Sequence, residues 1–153
     1  MKKLVNKLIK ERGDDANLND INTSKITDMS KLFLGLNHII LIHNIDISEW
    51  NVSNVKDMTL MFYKCEKFNC YLGNWDVSNV MRTTSMFSGC KKFTGKGLEN
   101  WNVSKCTNMN WMFDECEKFY CDLNNWNISN TTDTYWMFNA CGSLINKPSW
   151  YKK

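Results

Sequence analysis

The amino-acid sequence predicts a repeat solenoid of about five coils, in which each unit of ~25 residues contributes a short parallel strand and a short helical turn. Three observations support this prediction. Tryptophan recurs every 24 to 26 residues, a Met-Phe pair follows each of the first four repeating tryptophans, and a cysteine follows each pair. Because several columns keep one period, we expect their side chains to form a continuous core. The predicted core residues are Trp50, Trp75, Trp101, Trp126, Phe62, Phe87, Phe113, Phe138, Cys65, Cys90, Cys116 and Cys141.

The repeat domain is predicted to cover residues 20–153. Its first unit is imperfect, because the segment INTSKITDMSKLF (21–33) matches WNVSNVKDMTLMF (50–62) with Ile21 in place of tryptophan. A unit of this size cannot bury its own apolar face, so it needs neighbouring copies for stability. The units lie near residues 21–49, 50–74, 75–100, 101–125 and 126–149, and a C-terminal cap continues to residue 153.

Each unit combines two hydrophobic periods. Trp50 and Val52 alternate with polar residues, as in a short strand. Met58, Met61 and Cys65 follow at three- and four-residue spacing, which is typical of one face of a short helix. We expect the strands of neighbouring units to pair in parallel, about 4.8 Å apart.

Residues 1–19 are predicted to form an N-terminal capping helix and a lead-in to the repeats. Leu4, Val5, Leu8 and Ile9 share one apolar helical face, and basic residues occupy the other. An amphipathic helix on a membrane surface is the alternative interpretation. The segment is short and has no aromatic anchor, which favours the cap.

Composition excludes several classes of function. A net charge of +3 gives no electrostatic argument for nucleic acid or a membrane surface as the partner. No apolar run approaches the ~20 residues of a membrane-spanning helix. The N-terminus does not read as a signal peptide, because Asn6, Lys7 and Lys10 interrupt its apolar stretch. We therefore expect a cytoplasmic protein without a membrane span.

The unit NWDVSNVMRTTSMFSGCKKF (74–93) and its sister units resemble the BspA-type leucine-rich-repeat proteins. The resemblance covers residues 20 to about 150. It implies an α/β leucine-rich-repeat-like fold, namely a right-handed solenoid of short strands and short helical turns. It also implies a bacterial surface protein concerned with adhesion and protein binding, so the cell surface is the alternative location.

The seven cysteines are open to three interpretations, as buried thiols, disulfides or metal ligands. The pairs Cys65-x4-Cys70 and Cys116-x4-Cys121 lack the C-x2-C spacing of structural zinc sites. Four cysteines share one repeat column, where a free thiol acts as a small apolar group. The odd total also favours reduced thiols, and we predict neither a metal nor a cofactor.

No catalytic set is evident in the sequence. His38 and His43 lie in the irregular first unit without a nucleophile or a recurring carboxylate beside them. No glycine-rich phosphate loop is present. We therefore predict that the protein is not an enzyme.

A glycosylation pattern recurs with the repeat, so it carries little information about modification. We interpret these asparagines as residues that close turns or hydrogen-bond between units. They are Asn22, Asn51, Asn102, Asn127 and Asn130.

One column breaks the equivalence of the units. The residue before each Met of the Met-Phe pair changes along the chain from Lys31 through Leu60 and Ser85 to Trp111 and Trp136. This position is expected to face away from the methionines, so its aromatic residues are candidates for partner binding. The alternative is that loops or the C-terminal WYKK segment cover them. The candidate partner-binding residues are Trp111, Tyr135, Trp136 and Leu60.

These observations predict a non-enzymatic protein–protein interaction module. The expected partner is an unidentified protein, with no nucleic acid and no membrane span, and the chain is expected to be a monomer or to self-associate weakly. The alternative is a structural or self-assembling repeat protein without a dedicated ligand.

Overall fold

The computed structural model describes residues 1–13, 15–35, 45–129 and 132–152. Within these ranges the chain forms one α-helix, α1 (Lys2–Arg12), and one turn of 3-10 helix, Leu98–Asn100. No described residue belongs to a continuous β-strand, and the units are joined by isolated parallel β-bridges. One bridge joins Asn17 to Asp46, and the others follow one line through Asp28, Asp57, Arg82, Asn108 and Asp133.

Helix α1 buries a narrow apolar stripe. Val5 and Ile9, one helical turn apart, are fully buried, whereas Leu8 is half-buried and Leu4 is exposed. The helix ends at Gly13, whose φ of 87° lies in the region that favours glycine and whose N–H donates to the Ile9 carbonyl at 2.9 Å. The helix therefore packs on the first unit through one side only.

The predicted α/β leucine-rich-repeat-like solenoid, built from short parallel strands and short helical turns, is wrong. The described residues contain neither the strands nor the helices that such coils require. The physical reason is a pair of left-handed residues in each unit, such as Leu60 and Lys64, both with φ of 58°. A strand needs consecutive extended residues and an α-helix needs consecutive right-handed ones, so these residues interrupt both.

Tight turns account for the spacing that suggested a helix. The Met61 N–H donates to the Met58 carbonyl at 3.1 Å, and the Cys65 N–H donates to the Phe62 carbonyl at 2.9 Å. Successive four-residue turns thus bring the side chains of these four residues to one side, where they are buried. The three- and four-residue spacing of the buried residues therefore reflects consecutive turns, which are separated by left-handed residues.

One set of backbone hydrogen bonds runs from each unit to the following one, and we call this set the amide ladder. Other N–H groups, such as those of Met81 and Thr107, donate back to the preceding unit. Four N–H groups of the unit that begins at Trp50 donate to carbonyl oxygens of the following unit at 2.8 to 2.9 Å. The same positions donate across the next two boundaries. The donors of the first set are Met58, Leu60, Phe62 and Lys64, and their acceptors are Arg82, Thr84, Met86 and Ser88.

Aromatic columns fill the core between neighbouring units. The rings of Phe62 and Phe87 stack at 5.4 Å and 4°, and those of Trp75 and Trp101 stack at 6.4 Å and 5°. The buried indole of Trp101 donates through Nε1 to the Leu72 carbonyl at 2.9 Å, so its polar atom has a partner. Of the predicted core residues, all are buried except Cys141, which is half-buried.

Candidate partner-binding site

Three exposed aromatic side chains from neighbouring units form what we call the aromatic patch: Trp111, Tyr135 and Trp136. Their exposed fractions are 37%, 56% and 49%. The Trp111 and Tyr135 rings meet edge to face at 5.6 Å, and the Tyr135 and Trp136 rings lie 5.7 Å apart. The patch therefore presents contiguous apolar surface that spans two units.

The backbone holds this patch in place. Trp111 and Trp136 adopt left-handed conformations with φ of 54° and 55°. The Trp111 N–H donates to the Tyr135 carbonyl at 3.0 Å, and the Tyr135 N–H donates to Asn110 Oδ1 at 2.7 Å. These bonds join the two units at the residues that carry the rings.

Leu60, the fourth predicted partner-binding residue, does not belong to the patch. It occupies the same left-handed column, but it lies two units earlier in the chain and is half-buried. The structure thus brings together Trp111, Tyr135 and Trp136 and leaves Leu60 apart from them.

A groove of about 800 Å³ adjoins the patch. Its lining includes Tyr135 and Trp136 together with Trp150 and Tyr151 of the C-terminal segment. The C-terminal segment therefore borders Tyr135 and Trp136 and leaves about half of each side chain exposed. Lys147 also lines the groove, and its Nζ lies 5.2 Å from the centre of the Tyr151 ring. Burial is the main cause that raises the pKa of the Tyr151 hydroxyl.

The amide ladder stops in the C-terminal unit, and we call its last row of donors the amide edge. The N–H groups of Thr134, Trp136, Phe138 and Ala140 occupy the positions that donate to the following unit elsewhere in the chain. None of them has a hydrogen-bond partner among the residues that the structure describes. An unpaired row of backbone donors is a site at which another chain can pair.

The cysteines form no reactive or metal-binding cluster in the described part of the chain. All seven are free, and no group of three or more His, Cys, Asp or Glu is placed to hold a metal ion there. The Cys90 thiol donates to the Phe62 carbonyl at 3.1 Å. Burial raises the pKa of the Cys65 thiol to about 12, so this group stays protonated and unreactive near neutral pH.

The remaining polar candidates have local structural roles or lie outside the described residues. The Asn51 Oδ1 accepts from the Ser53 N–H at 3.1 Å, and the Asn102 Oδ1 accepts from the Ser104 N–H at 3.2 Å, so both close turns. His38, His43 and Asn130 lie outside the described residues.

Sequence reasoning missed the left-handed columns and the amide edge. Gly35 and Gly89 share one column with Lys64, Glu115 and Ala140, and all five have a positive φ. Two glycines in one repeat column were a signal for this backbone conformation. The amide edge had no sequence signal, because backbone N–H groups are the same in every unit.

Comparison with known protein families gives one match, which covers nearly the whole chain. The family is described as "Mycoplasma protein of unknown function, DUF285", and its model matches residues 1–97 and 71–152. It is not the BspA-type leucine-rich-repeat family that the motifs resemble, so that assignment is wrong, and the surface adhesion it implied loses its support. Neither the curated proteins nor the solved structures contain a match.

In the described part of the chain, no helix has the length and apolar character needed to cross a bilayer.

Proposed function

We propose that this chain, which belongs to the DUF285 family, is a non-enzymatic module that binds a partner protein through the aromatic patch. The observation that carries the proposal is the exposure of Trp111, Tyr135 and Trp136 next to one another. Exposed aromatic clusters mark interaction sites, because tryptophan and tyrosine supply much of the binding energy at protein interfaces.

The repeat itself does not require aromatic residues at these positions. The equivalent residues in earlier units are Lys31, Leu60 and Ser85, and all of them adopt the same left-handed conformation. The tryptophans are therefore not needed for the backbone to fold in this way, and their large exposed surface supports a role in binding.

A double substitution tests the patch. In Trp111→Ser/Trp136→Ser the backbone should be tolerated, because Ser85 occupies the same column with φ of 51°. We expect capture of partner proteins from cell extract to fall at least about tenfold, since loss of one hot-spot side chain costs about 2 kcal/mol or more. Quantitative mass spectrometry of the captured proteins measures the effect, and circular dichroism checks the fold.

The matched control is Tyr120→Ser, which removes an aromatic ring that is 58% exposed and makes no ring contact with the patch. This variant should capture the same partners as the unchanged chain. An unaltered partner set for the double variant would contradict the assignment of the patch.

We also propose that the protein acts in the cytoplasm. The free state of all seven cysteines supports this location, because disulfides are rare in reducing compartments. Intact native cells treated with a membrane-impermeant amine reagent should leave this chain unlabelled, and lysed cells should yield labelled chain. Labelling in intact cells would contradict the proposal and place the protein at the cell surface.

A further inference from the structure

We propose that the amide edge and the adjoining groove bind a peptide segment of a partner protein that adopts the backbone conformation of a repeat unit and whose main-chain carbonyl oxygens accept hydrogen bonds from the edge. This inference rests on the proposed function and deepens it, because it specifies how the partner is held. Tyr135 and Trp136 belong to both surfaces, whereas Trp111 does not line the groove.

The internal boundaries of the chain show which chemistry fits the edge. At each of the three boundaries from residue 58 onward, four alternate N–H groups meet four alternate backbone carbonyls at 2.7 to 3.0 Å. A polypeptide that runs parallel to the edge offers acceptors at this spacing. The edge therefore fits the main chain of a peptide, independent of its side chains.

Helix α1 lies at the opposite end of the amide ladder. Lys2 Nζ donates to the carbonyl oxygens of Lys31 and Leu34 at 2.9 Å each, and α1 packs its Val5 and Ile9 side chains into the core at that end. A second copy of this chain would thus need to displace α1 before its carbonyls could meet the edge. Two edges cannot pair with each other, because both offer donors. These facts favour a different protein as the occupant.

The groove supplies contacts for the side chains of such a peptide. Trp150 continues the tryptophan column, stacks on Trp126 at 6.4 Å and 5°, and lines the groove together with Tyr151. An apolar side chain that enters here would extend the column by one more layer.

A peptide copied from the chain itself is a suitable probe. The segment RTTSMFSG (82–89), acetylated and amidated, carries the four carbonyls that accept from the preceding unit in the folded protein. With the complete, isotopically labelled chain, we expect this peptide to shift the amide resonances of Thr134, Trp136, Phe138 and Ala140 in a saturable way. The same peptide with Ser85→Pro should not bind, because proline cannot adopt the left-handed φ of 51° found at that position.

The variant Thr134→Pro removes one donor from the edge. We expect it to weaken peptide binding about three- to tenfold, the equivalent of one net hydrogen bond. Ile145→Pro is the matched control, because Ile145 is exposed and does not line the groove. Equal affinity of Thr134→Pro and the unchanged chain, or no amide shifts at millimolar peptide, would overturn the proposal.

Further measurements distinguish a second copy from a different protein as the occupant, and the amide edge from the aromatic patch as the binding site. Sedimentation that shows oligomers growing with concentration, and lost in Thr134→Pro, would assign the edge to a second copy and overturn the proposal of a different protein. The single variant Trp111→Ser should keep full peptide affinity. A third result would separate the amide edge from the aromatic patch. If the unchanged chain binds the peptide, and captured proteins are lost in Thr134→Pro but kept in Trp111→Ser/Trp136→Ser, the edge is supported and the patch is rejected.

Discussion

At the scale of single residues, aspartate and asparagine side chains close the turns that follow the β-bridges. Asp57 Oδ1 accepts from the Thr59 N–H at 2.9 Å, and Asn108 Oδ1 accepts from the Asn110 N–H at 3.1 Å. Asp57 Oδ2 also accepts from Arg82 Nε at 2.9 Å. Burial opposes ionisation of Asp57, but the hydrogen bonds from Thr59 and Arg82 outweigh it and lower the pKa of this carboxyl.

We expect Asp57→Asn to destabilise the protein in a pH-dependent way. The amide keeps the turn, as Asn108 does in its own unit, but loses the ion pair with Arg82. Because the folded pKa of Asp57 lies below its ordinary value of 3.8, the ion pair contributes above about pH 4 and is lost as the pH falls further. The Arg82 side chain is 54% exposed, so the expected cost at pH 7 is at most about 1 kcal/mol.

Urea unfolding of both chains at pH 7 and pH 2.5 measures this difference. The two free energies of unfolding should converge at the lower pH. A difference that stays the same at both pH values would show that the ion pair is not its cause.

At the scale of elements, α1 is the one regular helix among the described residues, and local sequence explains its bounds. Apolar residues four apart supply a buried stripe, Lys10 and Arg12 favour the C-terminal end of the helix dipole, and Gly13 ends the helix. The segments from Met58 to Cys65 and their equivalents were expected to be helical on the same kind of spacing. They form turns because a left-handed residue precedes each Met-Phe pair.

The attachment of α1 can be tested with two substitutions on the same helix. Ile9→Ala should lower the free energy of unfolding by about 2 to 4 kcal/mol, because Ile9 is fully buried. Leu4→Ala should change it by about 0.5 kcal/mol or less, since Leu4 is 47% exposed. Urea unfolding gives both values. Equal costs for the two variants would mean that α1 does not pack on the first unit in solution.

At the scale of the whole molecule, the aligned peptide groups give the described chain two chemically different ends. In the amide ladder the carbonyl oxygens face the N-terminal end, where Lys2 Nζ donates to one of them, that of Leu34. N–H groups face the C-terminal end, where the amide edge lies beside the aromatic patch. The C-terminal unit therefore offers a row of unpaired backbone donors that the preceding units do not, among the residues that the structure describes.

The sequence by itself determined the repeat period, the residues that occupy each column and the apolar stripe of α1, because these depend on spacing along the chain. Only the tertiary structure decided the backbone conformation in the column of Leu60, which contains no glycine. Residues such as Leu60 adopt a left-handed φ while their N–H groups bond to a unit about 25 residues away, which no local pattern records. The tertiary structure also decided that Trp111 and Tyr135 meet and that Leu60 stays apart from them, because contact between columns depends on how neighbouring units are aligned.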